Sequence, residues 1–164
     1  MRDIILVIHD IRSCHNVGSL LRTAEGLGVA QVYLTGYTPY PTTDNDTRLP
    51  HIHQKLTQQI HKTALGAEVS QPWQHVDNVF EVLDQLSLSG YKLVALEQSN
   101  DSVPLNSYKG GDKTALILGR EVEGIDADVL ARADATVEIP MYGDKESFNV
   151  VQAAAMALYQ LRFN

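Results

Sequence analysis

Two short runs are apolar after their first residue: Asp3-Ile-Ile-Leu-Val-Ile8 and Thr114-Ala-Leu-Ile-Leu118. The first is rich in β-branched side chains, which suit a strand. Neither alternates apolar with polar residues, so a strand made from either needs apolar surroundings on both faces. Such strands belong to parallel sheets with helices packed above and below.

Helical spacing fills the gaps between strands. Val17–Leu27 is predicted as a helix, with Asn16 as N-cap and Gly28 as the C′ stop. Gln31-Val-Tyr-Leu-Thr35 is the second strand. Residues 36–50 form a polar loop with Pro39, Pro41 and Pro50, and a loop of that length is more often functional than idle. Residues 51–65 have helical spacing. A short strand is expected around Val69, a helix near Asn78–Leu88, and strands at Tyr91–Glu97 and Thr136–Ile139. Strands and helices alternate throughout, which predicts an α/β class. The expected architecture is a single-domain, Rossmann-like, mostly parallel sheet over residues 1–164, with helices on both faces.

Composition narrows the partners. No apolar run approaches the roughly 20 residues that span a bilayer, and the N-terminal run reads as a strand rather than a signal peptide. The single Cys14 leaves no internal disulfide and fits a reducing cytoplasm. The net charge of −7 excludes a generic nucleic-acid coat. RNA binding would need a local patch, and the run Arg48-Leu-Pro-His-Ile-His-Gln-Lys55 is a candidate, with a solvated loop as the alternative. His51, His53, His61 and His75 lack an i, i+4 pair and cysteine partners, so no metal is expected. Cys14 and His15 are adjacent in sequence, which provides no nucleophile–base geometry.

Three constellations carry possible chemistry. Asn16-Val-Gly-Ser-Leu-Leu-Arg22 follows the first strand. About 600° of helical rotation separates Asn16 from Arg22, so they do not share a face. They read as a cap and a solvated arginine, or as site residues. The stretch is not a G-x-G-x-x-G, so a dinucleotide site is not expected. Gly119-Arg-Glu-Val-Glu-Gly124 has glycines at both ends of a tight connection. It places Glu121 at the carboxyl end of a strand, where open α/β sheets bind ligands. A turn with solvated acids is the other reading. Finally, Ile139-Pro-Met-Tyr-Gly-Asp-Lys-Glu-Ser-Phe-Asn149 leads into a helix that is apolar on nearly every side. Ser147 and Asn149 put polar groups and free helix N–H groups at the sheet rim, which suits a small polar ligand or a simple cap. The alanine-rich helix is either fully buried or shared between the core and a subunit interface.

In order and spacing, Asn-x-Gly-x-x-x-Arg, Gly-x-Glu-x-x-Gly and Ile-Pro-Met…Ser-x-Asn-Val-x-x-Ala resemble the SpoU-type RNA ribose 2′-O-methyltransferases of the SPOUT superfamily. The resemblance covers nearly the whole chain, and Lys62-Thr-Ala-Leu-Gly-Ala-Glu68 adds to it. It implies a C-terminal deep trefoil knot and S-adenosylmethionine (SAM) as cofactor. It also implies a homodimer with the active site at the subunit interface, and a transfer or ribosomal RNA substrate. By the same resemblance Arg22, Asn16, Glu121, Ser147 and Asn149 are the catalytic set. Leu96, Glu97, Gly119, Ile139, Met141, Ser147 and Phe148 are the cofactor contacts, with Phe148 where Leu is more usual. Arg12, Arg48, His51 and Lys55 are candidate RNA contacts. No appended RNA-binding domain, metal or membrane partner is expected. Two rivals are a non-catalytic RNA-binding adaptor with the same fold and a base methyltransferase of a neighbouring SPOUT branch.

Overall fold

Alternate residues of the first strand enter opposite cores. In β1 (Asp3–His9), Ile4, Leu6 and Ile8 face one apolar layer, while Ile5 and Val7 face the other. In β6 (Lys113–Leu118), Leu116 and Leu118 oppose Ala115 and Ile117 in the same way. Each fully buried leucine or isoleucine contributes about 1.5–3 kcal/mol, so both layers hold these strands centrally. The remaining strands are β2 (Gln31–Thr35), β3 (Trp73–Val76), β4 (Lys92–Leu96), β5 (Val103–Pro104) and β7 (Ala135–Glu138). In the computed structural model, which describes residues 2–164, they form one sheet in the order β3-β2-β1-β6-β4-β7-β5. Every pairing between these strands is parallel.

Helices α1 (Cys14–Gly26), α2 (Pro50–Ala64), α3 (Ala67–Ser70) and α6 (Val150–Phe163) pack on one face of the sheet. Helices α4 (Val79–Leu88) and α5 (Ala127–Leu130) cover the other. Among the described residues, no helix is long and apolar enough to cross a membrane.

Three local readings change. Helix α1 begins at Cys14, and its cap is Ser13, whose hydroxyl accepts the Asn16 N–H at 3.2 Å. Cys14 and His15 carry no apolar periodicity, which hid the first turn. The Asn16 side chain is therefore free for another partner, while Gly28, at φ 66°, ends the helix as expected. Ser13→Ala should cost about 1 kcal/mol in urea unfolding, and Asn16→Ala clearly less. The expected strand around Val69 is instead α3, started by Gly66 at φ 102°, and the strand itself is β3. It is an edge strand, only half-buried, so its pattern was weak. The short elements β5, α5 and a 3-10 turn at Leu105–Ser107 fall below the length at which periodicity shows.

Helix α6 settles its own question. Ala154, Ala157, Leu158 and Leu161 are buried against the sheet, but Met156, Tyr159 and Phe163 are exposed, the last at 68%. It is not a fully buried core helix. Gly18 has a packing reason: a Cβ there would run into the Ile60 carbonyl and the Thr63 hydroxyl of α2.

Candidate functional site

The strand order sets β6, β4 and β7 side by side, although they are far apart in sequence. Their carboxyl ends and the loops that follow line a cleft of about 260 Å³. Leu96, Glu97, Gly119, Glu121, Ile139, Ser147 and Phe148 all border it. Met141 does not; it lies half-buried on the loop beyond. Asn149 also stands outside the lining. Its Oδ1 accepts the Val151 N–H at 2.9 Å and so caps α6. Asn16 joins the cleft indirectly, donating from its side-chain amide to Glu121 Oε1 at 3.2 Å across 105 residues of sequence.

The loop after β6 is folded back on itself. Arg120 N–H donates to the Gly124 carbonyl at 3.1 Å, and Gly124 N–H returns to the Arg120 carbonyl at 3.2 Å. Gly119 must lack a side chain, because a Cβ would lie 2.6 Å from Ile125 Cγ1 and 2.7 Å from the Gly124 carbonyl. Gly124 sits at φ 72°, with the Glu97 carboxylate directly over it. That carboxylate accepts the Ile125 N–H at 2.8 Å and the Gln98 N–H at 2.9 Å. Glu97 thus borders the cleft as a clamp between two loops, which sequence reasoning missed. Gln98 ties a third loop by donating to the Glu146 carbonyl at 3.1 Å.

Gln98, Leu118, Arg120, Val122, Gly124, Glu138, Glu146, Val150 and Ala153 complete the wall and were not among the expected contacts. They lie at or after the ends of strands already recognised or on the first turn of α6, so adjacency of those elements was the missing information. Apolar walls with Glu121, Glu138 and Glu146 at the rim suit a ligand with a flat apolar part and a cationic part.

The remaining expected residues lie elsewhere. Arg22 is exposed on α1, about 9 Å along the helix axis from Asn16 and on another face. It borders no part of the cleft and has no ion pair among the described residues. Arg12 is exposed beside the Tyr37 ring, 5.5 Å from its centroid. His51 and Lys55 are exposed on the first turns of α2. Arg48 is engaged within its own loop. Its guanidinium lies 3.6 Å over the Tyr40 ring, donates to the Tyr40 and Pro41 carbonyls and pairs with Asp46. That hydrogen bond holds the Asp46 carboxyl well below the usual carboxylate range, and little of Arg48 is left to offer a phosphate. Burial pushes the half-buried Cys14 thiol up, the wrong direction for a nucleophile.

Comparison with known proteins gives a consistent picture. The SpoU rRNA Methylase family matches residues 3–159. A Borreliella burgdorferi protein named tRNA (guanosine(18)-2′-O)-methyltransferase is 30% identical over 155 residues, covering 94% of this chain. The chain spans 64% of that relative's length. The crystal structure of the A. aeolicus TrmH/SpoU tRNA modifying enzyme superposes with a TM-score of 0.81 at 24% identity, covering 99% of this chain and 75% of that one. At that identity the likeness shows the fold. The SpoU methyltransferase AviRb from Streptomyces viridochromogenes, solved with its cofactor AdoMet, gives a TM-score of 0.77 at 25% identity, covering 98% and 60%.

Proposed function

Because the chain belongs to the SpoU rRNA methylase family, we propose that it transfers a methyl group from S-adenosylmethionine to a ribose 2′-hydroxyl of RNA. The observation that carries this reading is convergence. Seven residues expected from two separate motifs and one further strand end border a single cleft at the carboxyl ends of β6, β4 and β7, and Asn16 of a third motif hydrogen-bonds to one of them, Glu121. The name of the Borreliella relative supports transfer RNA as the substrate class.

The cleft fits the cofactor on its donor set. Leu96, Ile139, Phe148 and Val150 would offer apolar contact to an adenine ring, and Gly119 brings backbone into the cleft wall. Glu121, Glu138 and Glu146 would supply negative charge to the sulfonium and ammonium of the cofactor. When bound, S-adenosylmethionine supplies a methyl group activated by a positively charged sulfur. The chain's part would be to hold a ribose 2′-hydroxyl in line with that methyl, so that the sulfur could leave as a neutral thioether and the hydroxyl proton pass to solvent water. Alignment is the main task, and effective molarities for aligned pairs reach about 10⁵–10⁸ M. Asn16 orients Glu121 by its hydrogen bond.

A guanidinium offers five N–H donors and no acceptor, so Arg22 is not suited to take the hydroxyl proton. Its role in this reading is to hold the phosphate beside the reacting ribose and stabilise the developing alkoxide. Arg22 lies away from the cleft of its own chain, so it serves the cleft of a second subunit. The exposed Met156, Tyr159 and Phe163 on α6 supply the apolar surface for that homodimer. The knotted passage belongs to the same proposal. Chain 97–112 leaves β4, passes β7 to pair at β5 and returns to β6, while α6 packs on β4, β6 and the 3-10 turn.

Incubation with unmodified transfer RNA and isotope-labelled S-adenosylmethionine should yield a labelled 2′-O-methylnucleoside by mass spectrometry. A label on a base would favour the neighbouring branch. Loss of calorimetric SAM binding in the wild-type protein would favour an adaptor.

A further inference from the structure

Two tyrosines on the loop after β2 have opposite fates. Tyr40 is closed off: the Arg48 guanidinium lies 3.6 Å over its ring, and the His75 ring stacks on it at 4.0 Å. Tyr37 is 48% exposed, and the Arg12 guanidinium stands over its ring at a looser 5.5 Å. Arg12 is itself exposed and forms no ion pair among the described residues. The other rings with a cation against them, Tyr40, Phe80 and Tyr91, are half-buried. Arg12 and Tyr37 are thus an arginine–aromatic pair left open to solvent.

The pair stands on a fixed backbone. Tyr37 N–H donates to Asp10 Oδ1 at 3.0 Å, which ties the loop after β2 to the loop after β1. Asp10 takes φ 55° and Gly36 takes φ 64° where the two loops meet. A Cβ at Gly36 would run into the Asp10 carboxylate. A ring presented in this way needs little further ordering to receive a flat partner.

Its surroundings sort the parts of such a partner. Tyr37 borders a hollow of about 570 Å³ at the carboxyl ends of β1 and β2. Asp10, Asp77, Asp126 and Asp128 line that hollow, so it repels phosphate while offering acceptors to the amino groups of a base. Part of that charge is already answered. Asp10 and Asp126 lie with His9 within 4.8 Å of one another, and Asp126 pairs with Arg120. Arg12 stands outside the lining and is free to take a phosphate. It precedes Asn16 by four residues, at most about 14 Å of chain. About four stacked nucleotides cover that span at 3.4 Å each. Asn16 in turn holds Glu121 of the cleft.

We propose that Arg12 and Tyr37 hold a splayed-out nucleotide of a single-stranded RNA segment, the base stacked on the Tyr37 ring and an adjoining phosphate on the Arg12 guanidinium. An aromatic face beside a guanidinium is the chemistry by which proteins take unpaired nucleotides. The inference rests on the reading of the chain as an RNA methyltransferase. With a net charge of −7, RNA must be held at local patches, and Arg48 is spent within its own loop.

The test uses the full chain and radiolabelled, unmodified transfer RNA transcripts, with filter binding at several salt concentrations. Tyr37→Ala should weaken binding by about 5- to 150-fold and leave the salt dependence unchanged. Tyr37→Phe should bind like wild type, because stacking uses the ring and not the hydroxyl. Arg12→Ala should lower the slope of log affinity against log salt by about one, the loss of a single phosphate contact. Thermal midpoints should match wild type, since both side chains are exposed. No saturable RNA binding in the wild type would overturn the proposal, as would a Tyr37→Ala protein that binds normally. So would a Tyr37→Phe protein that loses as much as Tyr37→Ala, or an unchanged salt slope in Arg12→Ala. Failure of the methyl-transfer reading is separately visible: RNA binding with the expected losses but no methyl transfer would strike the enzymatic reading and uphold the nucleotide site.

Discussion

Arg22→Ala is expected to lower methyl transfer by about 10²–10³-fold while leaving calorimetric binding of S-adenosylmethionine unchanged. The separation follows from position. Arg22 is exposed on α1, borders no part of its own cleft and, among the described residues, has no ion-pair partner to lose. Its removal should therefore cost neither stability nor cofactor affinity. What disappears is a planar cation that can grip a phosphate through two parallel hydrogen bonds. Arg22→Lys keeps the charge but not the fork, so it should remain well below wild type. A lysine variant with wild-type rate would sink the bidentate role. The dimer arrangement has its own test. Mixing Arg22→Ala protein with a cleft variant such as Gly119→Ala should restore about a quarter of the wild-type rate, because half the dimers then hold one intact composite site. Failure to recover activity in mixed dimers would mean that Arg22 does not serve the partner's cleft.

The second large effect is expected at Gly124→Ala. The residue occupies φ 72°, a left-handed conformation that costs a non-glycine residue about 1–2 kcal/mol. The new Cβ would also enter the Glu97 carboxylate. Displacing that carboxylate leaves the buried Ile125 N–H without its acceptor, at about 1–3 kcal/mol. The sum, about 2–5 kcal/mol, lowers the thermal midpoint by about 2–4 °C per kcal/mol for a chain of this size. Because the same loop forms a wall of the cleft, cofactor affinity should fall by more than about tenfold. Calorimetry and thermal unfolding read the two effects separately. Glu97→Gln keeps one oxygen acceptor and should be milder on both. A Gly124→Ala protein that binds and melts like wild type would show that the Glu97 clamp does not shape the site.

Much of the site was legible because its residues stand in short motifs with local chemistry. Glycines bound the loop after β6, and a Ser-x-Asn pair opens α6. Their roles were less legible. Asn16 read first as a cap until Ser13 took that place and freed its amide for Glu121. Arg48 read as a free cation until its guanidinium was found between Asp46, two carbonyls and the Tyr40 ring. Glu97 read as a ligand contact, yet its carboxylate binds two backbone N–H groups. Each depends on a partner that sequence separation conceals.

By itself the sequence determined the class of fold and the positions of its long elements, because burial on two faces and the helical period are written locally in residues such as Ile4–Ile8 and Thr114–Leu118. Only the tertiary structure decided which strand ends meet. The order β6-β4-β7 brings together Leu96, Gly119 and Ile139, and the placement of β1 beside β6 sets His9 and Asp10 near Asp126. Strand neighbours are chosen by the global packing of apolar faces, whereas a periodic pattern reports only that a face is buried and not against what.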